Sequence, residues 1–370
     1  MQFSAPTFRR RLLRWYRNNQ RNLPWRRSKG KPHHAYYVLL SEFMLQQTQV
    51  STVLPYFQAF LRQFASLKDL ARASEQEVLQ LWQGLGYYSR ARNLLATARK
   101  VVSHHRGIIP KDVASLLTLP GVGRYTAGAV ASIAYDTCAP IVDGNVARVL
   151  CRLDLIKDPP HDKNAQKRLW LRAQEILPRR NCGDFNSALM ELGATICTPR
   201  APRCNHCPVR GSCKAFAEGM QDQIPPPRIA KPSPLELRRT YCLAKGTGRS
   251  RRWLIEQRPS RGRWASMWQF VTTPADQSPV SASTVNALAA VKATPPLPIG
   301  QIEHTLSHRK YRFDVYLCDL CVPGRHSRSS PTRRWVRLDD LYRYPLPRPH
   351  VRIAQMLGQL HPTPKLTSSR

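Results

Sequence analysis

The stretch that decides the fold of the first half of the chain is LPGVGRYTAGAVAS, residues 119–132. Gly121 and Gly123 lie two residues apart in a short turn, and an apolar segment with helical periodicity follows them. Glycine permits the unusual dihedral angles of such a turn, and the turn presents backbone N–H groups at the start of the next helix. Together with the positive end of the helix dipole, these donors suit a phosphate. The pattern is typical of a helix-hairpin-helix, in which Gly121, Gly123 and Arg124 are expected to contact a nucleic-acid backbone.

The charge of the chain supports a polyanionic partner. Its 370 residues carry 58 Lys and Arg against 23 Asp and Glu, a formal net charge of +35. Up to residue 225, 33 basic minus 15 acidic residues give +18, and the remaining 25 minus 8 give +17. Both halves are therefore basic, which favours nucleic acid over a charge that serves solubility alone.

The hydropathy of the chain argues against a membrane protein and against secretion. No apolar run approaches the roughly 20 residues that span a bilayer, and the N-terminus lacks the apolar core of a signal peptide. We therefore expect a cytoplasmic protein, and the positive charge of both halves places it on DNA, which in a bacterium is the nucleoid. In that compartment the ten cysteines favour metal ligation or burial over disulfides.

The sequence predicts two domains of different class. Residues 1–223 form a mainly helical domain with a first helix around Phe8–Tyr16, and apolar periodicity predicts further helices in 36–50, 75–82, 90–102, 124–135, 145–155, 165–177 and 185–196. A proline-rich linker, 224–236, follows. Residues 237–362 form a small α+β domain, with strands in RTYCLAKG, RWLIEQR, YRFDVYLC and RRWVRL, helices near 283–293 and 349–360, and a tail at 363–370.

Four cysteines, Cys197, Cys204, Cys207 and Cys213, lie in one loop with the spacing C-x6-C-x2-C-x5-C. Zinc sites usually combine two C-x2-C pairs, whereas this loop has one pair and two single cysteines, which favours a [4Fe–4S] cluster over zinc. Arg200 and Arg203 between the ligands are expected to contact a phosphate backbone, unless the loop is simply a solvated basic segment. The separate pair Cys318 and Cys321 has no partner pair nearby, so we interpret it as strand packing.

The segment VDGNVARVL, residues 142–150, begins another helix with Asp143 at its start. An aspartate at this position is commonly a helix cap that stabilises by about 1 kcal/mol. The residues around it point to a second role.

The order of helix-hairpin-helix, aspartate and four-cysteine loop resembles the base-excision DNA glycosylase superfamily typified by endonuclease III. Lyase members of that superfamily have a nucleophilic lysine soon after the hairpin, where this chain has Tyr125. Without that amine no Schiff base forms with the sugar, so the resemblance implies a monofunctional enzyme.

Within that superfamily the chain resembles the adenine DNA glycosylase (MutY) family. The resemblance is dense over residues 8–215 and thinner beyond them, and it rests on LPWR (23–26), SEFMLQQTQV (41–50), GLGYYSRARNL (84–94), WASMWQF (264–270) and HTLSHRKYRF (304–313). It implies a monomer that removes adenine opposite 8-oxoguanine, or opposite G, from double-stranded DNA. It also implies a structural [4Fe–4S] cofactor.

Two carboxylates provide the chemistry that such a reaction needs. Glu42 lies on its helix among Leu39, Leu40, Phe43 and Met44. This apolar setting should raise its pKa and make it a general acid that protonates the departing adenine. The alternative, a surface glutamate, fits those neighbours poorly. The resemblance assigns the acid role to the same position. It also implies that Asp143 stabilises the oxocarbenium-like sugar, as in glycoside hydrolysis, with Asn145 and Tyr125 orienting sugar and carboxylate.

The resemblance also implies residues for recognition of a flipped base. Arg26 and Glu191 would line the adenine pocket, although Glu191 is also consistent with an ordinary helix residue. Gln46, Gln47 and Tyr88 would fill the gap left in the duplex, since base extrusion costs a few kcal/mol. A plain core position is the alternative for Tyr88.

The resemblance makes the C-terminal domain Nudix-like, with lesion recognition as its role. The sequence contains no G-x5-E-x7-R-E-x2-E-E pattern, so a second hydrolytic activity is not expected. Ser307 and His308 would bond to 8-oxoguanine, while Leu306 replaces the aromatic residue of the family pattern.

Three other functions fit less well. A pyrimidine-lesion glycosylase/lyase is disfavoured by Tyr125 and by the C-terminal domain. A catalytically silent DNA-binding protein has no use for both Glu42 and Asp143. An electron carrier has no use for a helix-hairpin-helix or for this charge.

Overall fold

The computed structural model describes residues 3–27, 29–31, 34–227, 232–275, 280–289, 292–306, 309–321 and 331–361. The chain divides into two compact units. The first comprises Met1–Ala73 and Ser89–Ile229, and the second comprises Ser74–Tyr88 and Ala230–Arg370. The predicted fold class, a helical domain followed by a smaller α+β domain, is confirmed. The short segment Ser74–Tyr88 groups with the second unit, although helices of the first unit flank it in sequence.

The first unit is built from helices. In chain order, the helices up to residue 217 are α1 (Ala5–Asn19), α2 (His34–Leu45), α3 (Val50–Gln63), α4 (Leu67–Arg72), α5 (Glu75–Leu81), α6 (Ser89–His104), α7 (Val113–Leu117), α8 (Arg124–Tyr135), α9 (Gly144–Asp154), α10 (Lys163–Ile176), α11 (Cys182–Thr195) and α12 (Lys214–Ala217). Of these, α5 belongs to the second unit. A helix is present in each segment predicted to be helical, with one error of extent, and the four-cysteine loop lies between α11 and α12.

One predicted helix is wrong in its extent. The sequence predicts a single helix over 36–50, but α2 ends at Leu45 and α3 begins at Val50. Gln47 between them has a left-handed φ of 58°, which interrupts the helix. Nine of the twelve residues of α2 are buried, so this helix has no amphipathic periodicity from which its last residue could be predicted.

The turn between α7 and α8 requires a glycine at its centre. Gly121 has a φ of 72°, and a Cβ added there would lie 2.5 Å from Asn93 Nδ2. Gly123 is the N-cap residue of α8 and has extended backbone. Since glycine has no side chain that could bond to the first turn, the N-terminal N–H groups of α8 are left for another acceptor. The predicted helix-hairpin-helix is therefore present.

The second unit is built around one six-stranded sheet. Its elements are β1 (Leu235–Lys245), β2 (Arg252–Gln257), β3 (Trp268–Pro274), α13 (Ala282–Ala289), β4 (Leu297–Leu306), β5 (Arg309–Asp319), β6 (Arg333–Val336) and α14 (Arg348–Leu360). The strand order is β4-β5-β1-β3-β2-β6, in which β1 and β5 are parallel. Val285 of α13 packs in the core cluster on one face, and Ile353 and Leu357 of α14 pack in the cluster on the other. Of the six strands, β3 and β4 were not predicted.

Helix α5 is held in the second unit by amide side chains. Gln76 Nε2 donates to Ser266 O at 2.9 Å, and Trp268 Nε1 donates to Gln76 Oε1 at 3.0 Å. Gln80 Nε2 donates to Tyr342 O at 2.9 Å. These hydrogen bonds explain why Ser74–Tyr88 groups with the C-terminal part of the chain. Within the part of the chain that the structure describes, no helix is both long and apolar enough to cross a membrane.

Candidate active site

A buried glutamic acid lies at the centre of the first unit. Glu42 in α2 is only 5% exposed, and its neighbours Phe43 and Met44 are fully buried. The pKa of the Glu42 carboxyl is raised to about 7, mainly by burial and to a smaller extent by the nearby Asp143 carboxylate, against the opposing effect of a hydrogen bond with Tyr125. A large fraction of Glu42 is therefore protonated near neutral pH, as the sequence predicts for a general acid.

Asp143 is the N-cap of α9 and lies close enough to Glu42 to affect its ionisation. Its Oδ1 accepts from Val146 N at 2.7 Å, and its Oδ2 accepts from Asn145 Nδ2 at 3.2 Å. Burial nevertheless raises the pKa of the Asp143 carboxyl and outweighs these donors. The predicted donors are present, but their effect is smaller than that of desolvation. Because two neighbouring carboxylates disfavour double ionisation, the donors to Asp143 make it the charged member of the pair.

Tyr125 and Asn145 complete this cluster. The Tyr125 hydroxyl is a hydrogen-bond partner of the Glu42 carboxyl and lies 3.3 Å from Met190 Sδ. Burial raises the Tyr125 pKa well above its ordinary value, so the phenol stays protonated. Asn145 Oδ1 accepts from Arg148 Nη2 at 2.9 Å, which leaves the Asn145 amide nitrogen facing Asp143. The structure thus brings together all four residues predicted to be catalytic.

Arg148 connects this cluster to the cysteine loop. Besides Asn145, its guanidinium donates to Cys197 O at 2.8 Å through Nε and to Gly193 O at 2.8 Å through Nη2. A Cβ at Gly193 would lie 2.7 Å from the Cβ of Asn145, so α11 approaches the start of α9 closely. Sequence reasoning missed Arg148. The one signal in the sequence is its position one helical turn after Gly144, which places it on the same face of α9 as the start of the helix.

Glu191 is fully buried and bound by two arginines. Arg26 Nη2 donates to Glu191 Oε2 at 2.8 Å, and Arg21 donates to both carboxylate oxygens, at 2.8 and 3.0 Å. Burial opposes ionisation of Glu191, but the hydrogen bonds from Arg21 and Arg26 outweigh it and hold the pKa below its ordinary value. The structure therefore brings together Arg26 and Glu191, whose role in the adenine pocket stays a prediction, and it adds Arg21, which sequence reasoning missed.

Arg90 of α6 organises the turn that follows the Glu42 helix. It is 4% exposed. Its Nη1 donates to Met44 O at 2.7 Å and to Gln46 O at 2.6 Å, and its Nη2 donates to Thr48 Oγ1 at 3.1 Å. The guanidinium thereby binds carbonyls that the end of α2 leaves unpaired. Of the two predicted wedge residues in this turn, Gln47 is exposed and Gln46 is half-buried.

The remaining predicted recognition residues lie in the second unit. Tyr88 is buried, and its hydroxyl accepts from Gly84 N at 3.4 Å, whereas Tyr87 is 41% exposed. The wedge role of Tyr88 stays a prediction. Leu306 is the last residue of β4, and Ser307 and His308 lie outside the described residues.

The predicted backbone-contacting arginines lie at the surface of the first unit. Arg124, Arg200 and Arg203 are all exposed. The Arg124 guanidinium lies 3.8 Å from the centre of the Trp170 ring, and this cation–π contact holds it beside the N-terminus of α8. A cation and free helix N–H groups at one point suit a phosphate.

The four cysteines of the loop line one cavity together with Arg152 and Phe216. Arg152 Nη1 donates to Cys197 Sγ at 3.2 Å, so a cation already lies beside one of the sulfurs. Among the described residues, no three Cys, His, Asp or Glu side chains are grouped so as to hold a single metal ion. The cavity is lined by all four cysteine side chains.

Comparison with known proteins agrees with this geometry. The family model described as HhH-GPD superfamily base excision DNA repair protein matches residues 40–175, and a NUDIX domain model matches residues 243–356. The chain is 38% identical to the adenine DNA glycosylase of Rattus norvegicus, over 90% of this chain and 74% of that protein. It is 31% identical to that of Buchnera aphidicola subsp. Schizaphis graminum (strain Sg), over 94% and 98%. A solved thermostable thymine-DNA glycosylase is 28% identical with a TM-score of 0.51, over 58% of this chain and 97% of that one.

Proposed function

Because this chain belongs to the adenine DNA glycosylases, enzymes of base excision repair, we propose that it removes adenine opposite 8-oxoguanine, and opposite guanine, from duplex DNA. The DNA N-glycosylase activity follows from the family itself. The choice of opposing base rests on the resemblance of the second unit to a lesion-recognition domain. The net charge of +35 and the helix-hairpin-helix support a duplex partner.

The single observation that carries the mechanism is the buried pair of Glu42 and Asp143. Glu42, with a pKa of about 7, donates a proton to a ring nitrogen of adenine, which turns the base into a neutral leaving group. The glycosidic bond then breaks, and its electrons leave with the adenine. Asp143, held by Val146 N and Asn145 Nδ2, stabilises the positive charge that develops on the sugar. Water adds to the sugar carbon and loses one proton, which replaces the proton that Glu42 gave to adenine and completes hydrolysis.

The residue at position 125 sets the limit of the reaction. A lysine there would attack the sugar and form a Schiff base, from which the DNA strand is cut by β-elimination. Tyr125 is a protonated phenol with a raised pKa and supplies no such amine. We therefore assign it to orienting Glu42, and we assign the enzyme no efficient lyase activity.

We assign recognition of the base to the group formed by Glu191 and the two arginines that bind it. We assign Arg26, with Glu191 and Arg21 behind it, to the pocket for the flipped adenine. The turn held by Arg90 carries Gln46 and Gln47, whose amides would fill the gap that the extruded base leaves.

The activity is tested with a duplex that contains one adenine opposite 8-oxoguanine. We expect single-turnover cleavage only after hot alkali, because base release leaves an abasic site that alkali cuts. A parallel duplex with thymine in place of that adenine is expected to remain intact. Strand cutting without alkali would instead establish the lyase alternative, and tight binding without base release would establish a silent DNA-binding protein.

We further propose that the cavity between α11 and α12 holds a [4Fe–4S] cluster. An all-cysteine donor set around one cavity suits the sulfur ligation of iron, and Arg152 beside Cys197 offsets part of the negative charge of four thiolates. When bound, the cluster would fix the position of the loop that presents Arg200 and Arg203. We assign it no step in adenine release.

The metal content of anaerobically purified protein tests this cofactor. We expect four irons and four sulfides per chain with the visible absorption of a cluster. Cys207→Ser should lose them, and Cys321→Ser, at an exposed cysteine outside the loop, should retain them. One zinc per chain in place of iron would contradict the proposal.

A further inference from the structure

A second group of cysteines, outside the cluster loop, lies on the first unit. Cys138 is exposed and lies in the connection between α8 and α9, while Cys182 is fully buried and is the first residue of α11. Both sulfurs approach the carbonyl of Pro178, Cys138 Sγ at 3.6 Å and Cys182 Sγ at 3.0 Å. The two thiols are also hydrogen-bond partners of each other. Two sulfurs that are 44 residues apart in sequence therefore lie side by side.

Hydrogen bonds join the backbone segment that carries Cys138 to the start of α11, which carries Cys182. The Asp136 carboxylate accepts from Asn181 N at 3.0 Å and from Gly183 N at 2.9 Å, the residues on either side of Cys182. Ala139 O, just after Cys138, accepts from Asn186 Nδ2 at 2.8 Å. The loop is thus bound to the start of α11 both before and after Cys138, which keeps the sulfurs together.

We propose that Cys138 and Cys182 form a reversible disulfide when the protein meets a peroxide. The inference does not depend on which base the enzyme recognises or on the cluster. It rests on the paired positions of the sulfurs and on their unequal exposure.

The exposure of the two thiols sets the order of the steps. The Cys138 sulfur attacks the peroxide O–O bond, takes one oxygen as a sulfenic acid and, with hydrogen peroxide, releases one water. The Cys182 sulfur then forms the S–S bond as the S–O bond of Cys138 breaks, and the Cys182 proton leaves in a second water. Two thiols are oxidised and one peroxide is reduced. Burial also raises the pKa of the Cys182 thiol to about 12, which disfavours Cys182 as the first sulfur to attack the peroxide.

The disulfide would join the loop that leads to Asp143 to the first turn of α11. It would close a loop that contains α9 and α10, which reduces the freedom of the unfolded chain. We therefore expect the oxidised protein to melt a few degrees higher than the reduced protein, and we expect a dithiol to reverse this rise.

The experiment uses the full chain with its cofactor. The protein is treated with hydrogen peroxide, free thiols are alkylated, and the unreduced protein is cut with trypsin together with a protease specific for glutamate. The second protease is needed because Cys182 and Cys197 share one tryptic peptide, and cleavage after Glu191 separates them. We expect a linked pair of peptides with Cys138 and Cys182, lighter by two hydrogen atoms than the sum, that disappears with a dithiol.

Three variants sharpen the result. Cys138→Ser and Cys182→Ser should each abolish the linked pair and the rise in melting temperature, while Cys321→Ser, at the other exposed cysteine, should leave both unchanged. The proposal is overturned if Cys138 is recovered as a sulfinic or sulfonic acid while Cys182 is alkylated. A link from Cys138 to a cysteine of the cluster loop would overturn it equally.

Discussion

Replacing Glu42 with glutamine is expected to slow adenine release by about 10²–10⁴-fold, the usual contribution of a general acid. Glutamine keeps the size of the side chain and its hydrogen bond with Tyr125 but has no proton of suitable acidity to give. The rate is measured in a single turnover on adenine opposite 8-oxoguanine, with DNA binding measured separately. Glu175→Gln, at an exposed glutamate of α10, is the matched control and should keep the wild-type rate. A Glu42→Gln enzyme with normal rate would remove the general acid from the mechanism.

The pKa of Glu42 gives this prediction a pH profile. An acid must be protonated to act, so the wild-type rate should fall tenfold per pH unit above about 7. The rate should also fall at low pH, where Asp143 becomes protonated and no longer stabilises the sugar, and burial raises the pKa at which this happens. The stability also changes with pH. The Glu42 carboxyl binds its proton more tightly in the folded protein than in the unfolded chain. The folded state is therefore favoured at low pH, and this contribution to the free energy of unfolding is lost as the pH rises from the ordinary pKa of a glutamate to about 7. At pH 8 the wild type should therefore be less stable than Glu42→Gln, by on the order of 3 kcal/mol. A variant that is more stable and yet inactive cannot owe its inactivity to misfolding.

Asp143→Asn is expected to reduce adenine release by about 10²–10³-fold, because a neutral amide does not stabilise a cationic sugar. The substitution retains an oxygen that accepts from Val146 N, so α9 should still begin at the same residue. The rate is measured as for Glu42, and circular dichroism reports on the fold.

The chain offers a matched control for the capping role. Asp162 caps α10 in the same way, with its Oδ1 accepting from Asn164 N at 2.8 Å and Ala165 N at 3.1 Å, but it is exposed and is not one of the residues assigned to the site. Asp162→Asn should leave activity unchanged. Equal losses of activity in the two variants would mean that Asp143 acts only as a cap.

The sequence predicted the parts of the site that local chemistry defines. The glycines of the hairpin, the capping position of Asp143 and the spacing of the cysteines are all properties of a few consecutive residues. The apolar neighbours of Glu42 are likewise adjacent in the chain, and its raised pKa follows from them. The resemblance to a family then supplied the roles of these residues.

What the sequence did not predict are contacts between distant segments. Arg21 binds Glu191 from 170 positions away, and Arg90 binds the end of α2 from 44 positions away. Arginines are numerous in this basic chain, so neither their type nor their local pattern distinguishes a buried partner from a surface charge. The extent of α2 was missed for a related reason, since a helix that is buried on all sides has no amphipathic pattern to mark its end.

The grouping of Ser74–Tyr88 with the second unit has a consequence for the order in which the protein is made. Gln76 leaves the ribosome 190 residues before Ser266 and 192 before Trp268, its two partners. At about 5–20 residues per second, that interval is about 10–40 s. During synthesis, Ser74–Tyr88 therefore lacks its hydrogen bonds to Ser266 and Trp268 for this interval, although α4 and α6, which flank it in sequence, have already been synthesised. A fragment that ends at the proline-rich linker would remain in that incomplete state permanently.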